Sequence, residues 1–314
     1  MKSGKIIVFG SFNADLAGRA TRLPRPGETL FGTTFAIGPG GKGSNQCIAA
    51  RRAGGDVYMV AKLGRDIFAD IALGLYRAEG VNCEHIFRDE NNPTGTALIL
   101  VDETTSQNSI LVYLGANGNI TSEDIRSALP AIADADILLT QLENNLDAIL
   151  SVISAAHLGG TRVVLNPAPA RELPRGLYPM LDLITPNESE AEILTGIPSD
   201  SDENIRKSAG VLLGRGVKNV VITLGARGLF ASDGGEERFI KALSLDTPLV
   251  DTTGAGDCFA GALCVALSEK KSLFEACMFA STAAALACRK AGAAAAMPER
   301  KDIDLTLAKF RDRF

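Results

Sequence analysis

Asp257 follows Gly254-Ala255-Gly256 and leads into Cys258-Phe259-Ala260-Gly261-Ala262, small residues apart from Phe259. Glycine and alanine before an alanine-rich helix leave the N–H groups of Gly254, Ala255 and Gly256 bare at the helix start. With the helix dipole they form an anion hole suited to phosphate. A carboxylate beside that hole can take a proton from an attacking hydroxyl. Phosphoryl transfer asks little more of a protein than alignment, charge neutralisation and a base. An aspartate here could also serve only to stabilise the helix N-terminus. The Gly-Ala-Gly before it and the small residues after it favour catalysis, with Asp257 as the base.

Four further groups could complete such a site. In Gly10-Ser11-Phe12-Asn13-Ala14-Asp15, small residues end a strand and turn Asn13 and Asp15 toward a crevice. A carboxylate accepts from two neighbouring hydroxyls, and an amide both donates and accepts, which suits a polyol. A plain turn explains the same residues. Gly38-Pro39-Gly40-Gly41-Lys42-Gly43-Ser44-Asn45-Gln46 would close bare backbone on a ligand while Lys42 and Asn45 reach its oxygens. The segment matches a dinucleotide fingerprint by letter only, because it does not follow the first core strand. Asn187 and Glu190 have the spacing of a capping box. They could equally lie near a phosphate-bound, mostly hydrated Mg²⁺. Thr223-Leu224-Gly225-Ala226-Arg227-Gly228 is a strand end with a glycine turn, either a simple β-turn or open backbone beneath a nucleotide.

Alternating strands and helices must position these groups. Strand patterns fall at residues 5–9, 57–63, 136–140, 162–165, 182–185 and 219–224, short apolar runs with few charges, as in strands buried on both faces. Helical patterns lie between them at 66–79, 122–129, 145–157, 188–195 and 202–213, and again at 254–268, 273–288 and 302–311. The expected fold is α/β, a mostly parallel central sheet with helices on both faces. Residues 28–37 and 95–113 read as strands with no helix between them, the second as a hairpin. They predict a small antiparallel β lid beside the carboxyl ends of the parallel strands. No linker or repeat divides the chain, so 1–314 is expected to be a single domain with a lid.

Composition narrows the partners. Hydrophobic residues make up 46% and charged residues 22%, which excludes a disordered chain. Net charge is −5 without a basic patch, so neither nucleic acid nor an anionic membrane is expected as a partner. The chain runs from Met1–Lys5 straight into an apolar strand without a long signal-type segment. The six cysteines form no C-x-x-C pair and read as buried thiols of a cytoplasmic protein. Only His85 and His157 are present, neither in a motif, which argues against zinc and against a Ser-His-Asp triad.

These motifs, in this order, resemble the ribokinase (PfkB) family of carbohydrate kinases from Ile6 to about Pro298. The most specific match is Asp251-Thr252-Thr253-Gly254-Ala255-Gly256-Asp257, and Gly40-Gly41-Lys42-Gly43-Ser44-Asn45-Gln46 narrows it further. The resemblance implies a ribokinase-like fold and transfer of the ATP γ-phosphate to a sugar. The implied acceptor is the 5-hydroxyl of D-ribose, with 2-deoxyribose or a ketose as alternatives. A sugar or nucleotide sensor on the same fold is a remote reading, because Asp257 and the anion hole are intact. By resemblance Asn13, Asp15, Gly40, Gly41, Lys42, Asn45 and Glu143 hold the sugar beside Asp257. Thr223 to Gly228, Asn187 and Ser281 meet ATP, and Glu190 supports Mg²⁺ indirectly. Asp251, Thr253, Lys290 and Gly292 hold a monovalent cation, K⁺ in the family, largely through backbone. A homodimer paired through the lid is also implied. The chain departs from the family at Ala296, where serine is usual, at Lys290, where arginine is usual, and at Phe12, which is bulky beside the sugar residues.

Overall fold

The computed structural model describes residues 4–105 and 107–310. Its first strand, β1 (Lys5–Phe9), explains the layering. Ile6 and Val8 enter one buried apolar cluster while Ile7 and Phe9 enter another. Strand side chains alternate between faces, so the two clusters are the two sides of one sheet.

The chain continues through β2 (Asn13–Ala20), β3 (Thr34–Gly40), α1 (Lys42–Arg52), β4 (Asp56–Leu63), α2 (Ile67–Glu79) and β5 (Asn82–Arg88). Next come β6 (Gly95–Asp102), β7 (Asn108–Tyr113), α3 (Ser122–Ala133), β8 (Ile137–Thr140), α4 (Leu146–Gly159), β9 (Arg162–Leu165) and β10 (Leu183–Ile184). The remainder is α5 (Glu188–Thr195), α6 (Asp202–Gly214), β11 (Val220–Thr223), β12 (Leu229–Ser232), β13 (Glu237–Ile240), α7 (Ala255–Ser268), α8 (Leu273–Ala287) and α9 (Arg300–Phe310). Among the described residues the main sheet has nine strands in the order β13-β12-β11-β10-β9-β8-β1-β4-β5. It is parallel from β11 to β5, and β12 and β13 extend it antiparallel. Helices α1, α2, α7, α8 and α9 cover one face, and α3 to α6 cover the other.

The expected α/β fold is therefore the observed one. The main strands and helices begin and end within a few residues of their sequence patterns. The edge strands β5 and β13, and β12 next to β13, had not been expected.

A second sheet of four strands, β3-β2-β6-β7, forms the expected small sheet. Its outer pairs are antiparallel and its central pair, β2–β6, is parallel. The strand expected at 28–37 begins only at Thr34. The reason is its partner: β3 pairs with β2 from Thr34 opposite Arg19 to Gly40 opposite Asn13, and β2 ends one residue later at Ala20. Strand β2 itself escaped the sequence reading, although it carries Asn13 and Asp15.

Candidate active site

The candidate residues gather at the carboxyl ends of the parallel strands, the usual ligand end of such a sheet. Strand β1 leads to Ser11 and Asn13, β8 to Glu143, β9 to Asn166, β10 to Thr185, Asn187 and Glu190, and β11 ends at Thr223. Helices α1 and α7 close the site from one face. They pack tightly because Gly261 has no side chain: a Cβ there would stand 2.5 Å from the Gln46 carbonyl oxygen. Gly261 is four residues after Asp257, so both lie on the face of α7 turned to α1.

Asp257 is buried, and each of its oxygens has a donor from α1. Asn45 Nδ2 donates to Oδ2 at 3.0 Å, and Gln46 Nε2 donates to Oδ1 at 2.9 Å. Burial pushes the Asp257 carboxyl above its ordinary value; the Lys42 charge and the two amide donors pull the other way. Asn45 Oδ1 is buried without a protein partner, so it is available to accept from a ligand hydroxyl.

The start of α7 differs slightly from expectation. Gly254 is its N-cap in a left-handed conformation, φ 74°, with no capping side chain. The Ala255 N–H is already donated to the Thr252 carbonyl at 3.1 Å. Of the three expected anion-hole residues, Gly254 and Gly256 are thus the ones with backbone to offer a phosphate. All three line the same cleft as Asp257, Lys42, Asn166, Thr185, Asn187, Glu190 and Thr223.

The polyol end adjoins this cleft. Glu143 Oε2 accepts from Ser11 Oγ at 2.5 Å and from the Lys42 N–H at 2.9 Å. Burial, and then the charge of Glu143, push the half-buried Asp15 carboxyl up to about 6. Asn13 Oδ1 accepts from Asn117 Nδ2 at 3.0 Å, and Gly40 leaves room for the Asp15 carboxylate. Phe12 does not face this end. Its side chain is fully buried in the core, edge-on to Tyr76 with ring centroids 6.4 Å apart, so its bulk does not shape the ligand space.

Asn187 and Glu190 fill the capping role that the sequence left open. They form the capping box of α5: Asn187 Oδ1 accepts from the Glu190 N–H and Glu190 Oε2 from the Asn187 N–H. They also line the cleft. Burial raises the Glu190 carboxyl above its usual value; the Asn187 N–H and the Lys42 charge oppose this, and the Asp257 charge reinforces it. A half-buried carboxylate among amides and hydroxyls suits a hydrated Mg²⁺.

In the Thr223 to Gly228 turn, Leu224 is buried and Arg227 is engaged by Glu188 and Asp202 at 2.6 and 3.2 Å. The N–H groups of Thr223, Leu224, Arg227 and Gly228 are already donated within the fold, and Thr223 is the residue of this turn that lines the cleft. Ser281 lies on α8 and Lys290 just beyond it, outside the cleft lining.

Asp251 Oδ1 accepts from the N–H and hydroxyl of Thr253 at 2.9 and 2.6 Å, and Oδ2 from the Gly292 N–H at 2.9 Å. Burial opposes ionisation of Asp251, but these donors outweigh it and hold the carboxyl below its usual value. The clamp draws the 251–253 and 292 loops together, which fits a cation bound by backbone carbonyls. Ser11, Gln46, Asn117, Gln141, Asn166 and Thr185 also shape the site and were not singled out from sequence. Gln46 lay inside a recognised motif, but its role depends on partners far along the chain.

A buried carboxylate at a helix N-terminus, beside carboxylates and amides suited to a polyol, fits a phosphotransferase. Residues 3–300 match the model of the pfkB family carbohydrate kinases. The chain is 40% identical to the ribokinase of Haemophilus influenzae over 297 residues, covering 95% of this chain and 96% of that one. It is 38% identical to the deoxyribokinase of Salmonella typhi over 257 residues, covering 82% and 83%. The structure of Arabidopsis thaliana ribokinase complexed with ribose and ATP superposes with a TM-score of 0.89 at 32% identity, covering 98% of this chain and 99% of that one. The chain belongs to the pfkB family of carbohydrate kinases, and it is an ATP-dependent sugar kinase.

Proposed function

We propose that the chain transfers the γ-phosphate of ATP to the 5-hydroxyl of D-ribose. The observation that carries this reading is the Asp257 carboxylate, buried and held by Asn45 and Gln46 between the α7 N-terminus and the polyol-binding residues. Asp15 and Glu143 accept from sugar hydroxyls, Asn13 and Asn45 add amide contacts, and Gly40 and Gly41 give backbone. Asp257 takes the proton of the 5-hydroxyl as its oxygen attacks the γ-phosphorus. The bond from that phosphorus to the bridging oxygen of ADP breaks, and ADP leaves. A base pushed up by burial is well matched to this task. The backbone of Gly254 and Gly256 and the Lys42 ammonium face the negative charge that spreads over the transferred group. Asn187 and Glu190 would hold a hydrated Mg²⁺, which neutralises phosphate charge. Asp251, Thr253 and Gly292 would shape a monovalent-cation loop, and a K⁺ held there would add positive charge beside the anion hole.

The whole chain acts as one kinase domain in this reading, with the β3-β2-β6-β7 sheet as its lid. The pairing register puts Phe35, Ile37, Leu98, Leu100 and Leu111 on the face opposite Asp15, and all five are exposed. An apolar sheet face of this kind suits a second copy of the chain. No helix among the described residues is long and apolar enough to cross a membrane. All six cysteines are unpaired thiols, which fits the cytoplasm.

The deoxyribokinase relative makes 2-deoxyribose the second reading. A site that hydrogen-bonds the 2-hydroxyl rejects the sugar lacking it, because buried partners are left unmet. Coupled ADP release with ATP, Mg²⁺ and K⁺ against ribose, 2-deoxyribose, arabinose, xylose and fructose separates these readings. Ribose should lead in kcat/KM by at least about tenfold. A lead for 2-deoxyribose would replace the substrate and keep the chemistry.

A further inference from the structure

The donor on Asp257 Oδ1 belongs to a longer chain of buried amides. Gln46 Nε2 donates both to Asp257 Oδ1 and to Asn166 Oδ1, each at 2.9 Å. Gln46 Oε1 accepts from Gln141 Nε2 at 2.7 Å. Asn166 Nδ2 donates to the Thr185 carbonyl at 2.9 Å. Gln46 and Gln141 are fully buried. An ionised carboxylate and a backbone carbonyl can only accept, and these two ends fix every amide between them. The Thr185 carbonyl turns the Asn166 oxygen toward Gln46. The Gln46 amide must then present nitrogen to both Asn166 and Asp257, which leaves its oxygen to Gln141. Reversing the Gln46 amide would set its oxygen against those of Asp257 and Asn166, away from water, where such conflicts are costly.

Resting on the assignment of Asp257 as the base, we propose that Gln46 is a positioning residue for phosphoryl transfer. It fixes the plane of the Asp257 carboxylate, and the two acceptors Asp257 and Asn166 fix which end of the Gln46 amide does so. With Asn45 on one oxygen and Gln46 on the other, the carboxylate cannot rotate without breaking both bonds. Gln46 has no exposed surface and does not line the cleft, so it acts through Asp257. Its donor also favours the ionised base. The other charges that face Asp257 are Lys42 on α1, which favours ionisation, and the carboxylates Glu143 after β8 and Glu190 on α5, which oppose it.

The test uses the full chain with Gln46→Met, Gln46→Glu, Gln141→Met and Asp257→Asn, each followed by circular dichroism and a thermal melt. The readout is kcat against pH at saturating sugar and ATP. Gln46→Met should lower kcat about 10- to 100-fold at pH 7.5 and move the acid limb up by about one unit, with the sugar KM changed less than about threefold. Gln46→Glu should move the limb further, since it sets a third oxygen beside Asp257 and Asn166. Gln141→Met removes only the donor to Gln46 Oε1 and leaves Asp257 and Asn166 to hold the Gln46 nitrogen, so it should leave the limb in place. A merely structural role lowers the melting temperature and leaves the limb in place. An acid limb that stays at the wild-type position in Gln46→Met overturns the inference. If Gln46→Met does not fold, Gln46→Glu decides alone: a moved limb supports the inference and an unmoved one overturns it. Near-normal turnover in Asp257→Asn would instead remove the base assignment beneath it. An inactive Asp257→Asn with unmoved limbs in the Gln46 variants removes only the role of Gln46.

Discussion

Asp15 lies within reach of the Glu143 carboxylate: burial, and after it the charge of Glu143, push the Asp15 carboxyl up to about 6. In the proposed function both groups meet the sugar, so the affinity for sugar should follow the ionisation of Asp15. A protonated carboxyl has one acceptor fewer for sugar hydroxyls. The sugar KM should rise at least about threefold between pH 7.5 and pH 5.5, reflecting a weakened hydrogen bond to a charged group. Asp15→Asn should raise KM at every pH and flatten the dependence. A wild-type KM that is level across this range removes Asp15 from the sugar site.

The same carboxyl should cost stability in the absence of sugar. Its folded value, about 6, lies above the ordinary 3.8, so the folded state binds more protons between these limits. Stability therefore falls as pH rises from 3.8 to about 6, and the penalty is complete above that window. Asp15→Asn should then stabilise the sugar-free protein by about 2 kcal/mol at pH 7.5, allowing for partial exposure, and by nothing at pH 3.5. Denaturant unfolding at the two pH values measures the difference. An equal effect at both would refute the linkage.

Asp257→Asn keeps the shape of the base and removes its proton affinity. Turnover should fall by at least about 10²-fold while the far-ultraviolet spectrum and ATP affinity stay near wild type. A variant with near-normal kcat would place the base elsewhere.

Much of this site was legible because the chemistry is concentrated in short segments. Gly254-Ala255-Gly256-Asp257 announces a helix start with a carboxylate, and the structure puts that carboxylate in a buried cleft. The β1 pattern was equally plain, since five apolar-rich residues buried on both faces leave no other reading. Strand β2 was hidden because Asn13-Ala14-Asp15-Leu16-Ala17-Gly18 lacks the β-branched residues that mark strands. It becomes a strand through its pairing with β3 and with β6, which lies some eighty residues further on. Gln46 was visible inside a glycine-rich motif, yet its partner Asp257 is 211 positions away and Gln141 is 95. Amide direction is set by such contacts, and no local pattern reports it. The Phe12 side chain shows the reverse: it sits between β1 and β2 amid a polar motif, yet it is buried in the core against Tyr76.

The exposed apolar face of the small sheet predicts association. Leu98→Asp with Leu111→Lys puts charges on adjacent strands, since Leu98 pairs with Leu111 across β6 and β7. The double variant should sediment as a monomer where the wild type is a dimer. A monomeric wild type at micromolar concentration leaves that face without the proposed partner.

Gly261 ties the packing of the helices to the chemistry. A methyl at this position would stand 2.5 Å from the Gln46 carbonyl oxygen and 2.8 Å from the Ala50 nitrogen. Both are backbone atoms, so no side chain can swing aside, and α7 must move away from α1. Overpacking of this kind costs about 1–3 kcal/mol. The catalytic cost should be larger in proportion, because the same movement lengthens the bonds from Asn45 and Gln46 to Asp257. A displacement of about 1 Å at a reacting group lowers rates by about 10²-fold. Gly261→Ala should therefore unfold at moderately lower denaturant concentration and lose at least about tenfold in kcat at temperatures where it is fully folded. Single-turnover kinetics with a denaturation curve on the same sample separates the two effects. Full kcat in a destabilised Gly261→Ala would show that α7 can shift without carrying Asp257 with it, and that the spacing of these helices serves packing alone.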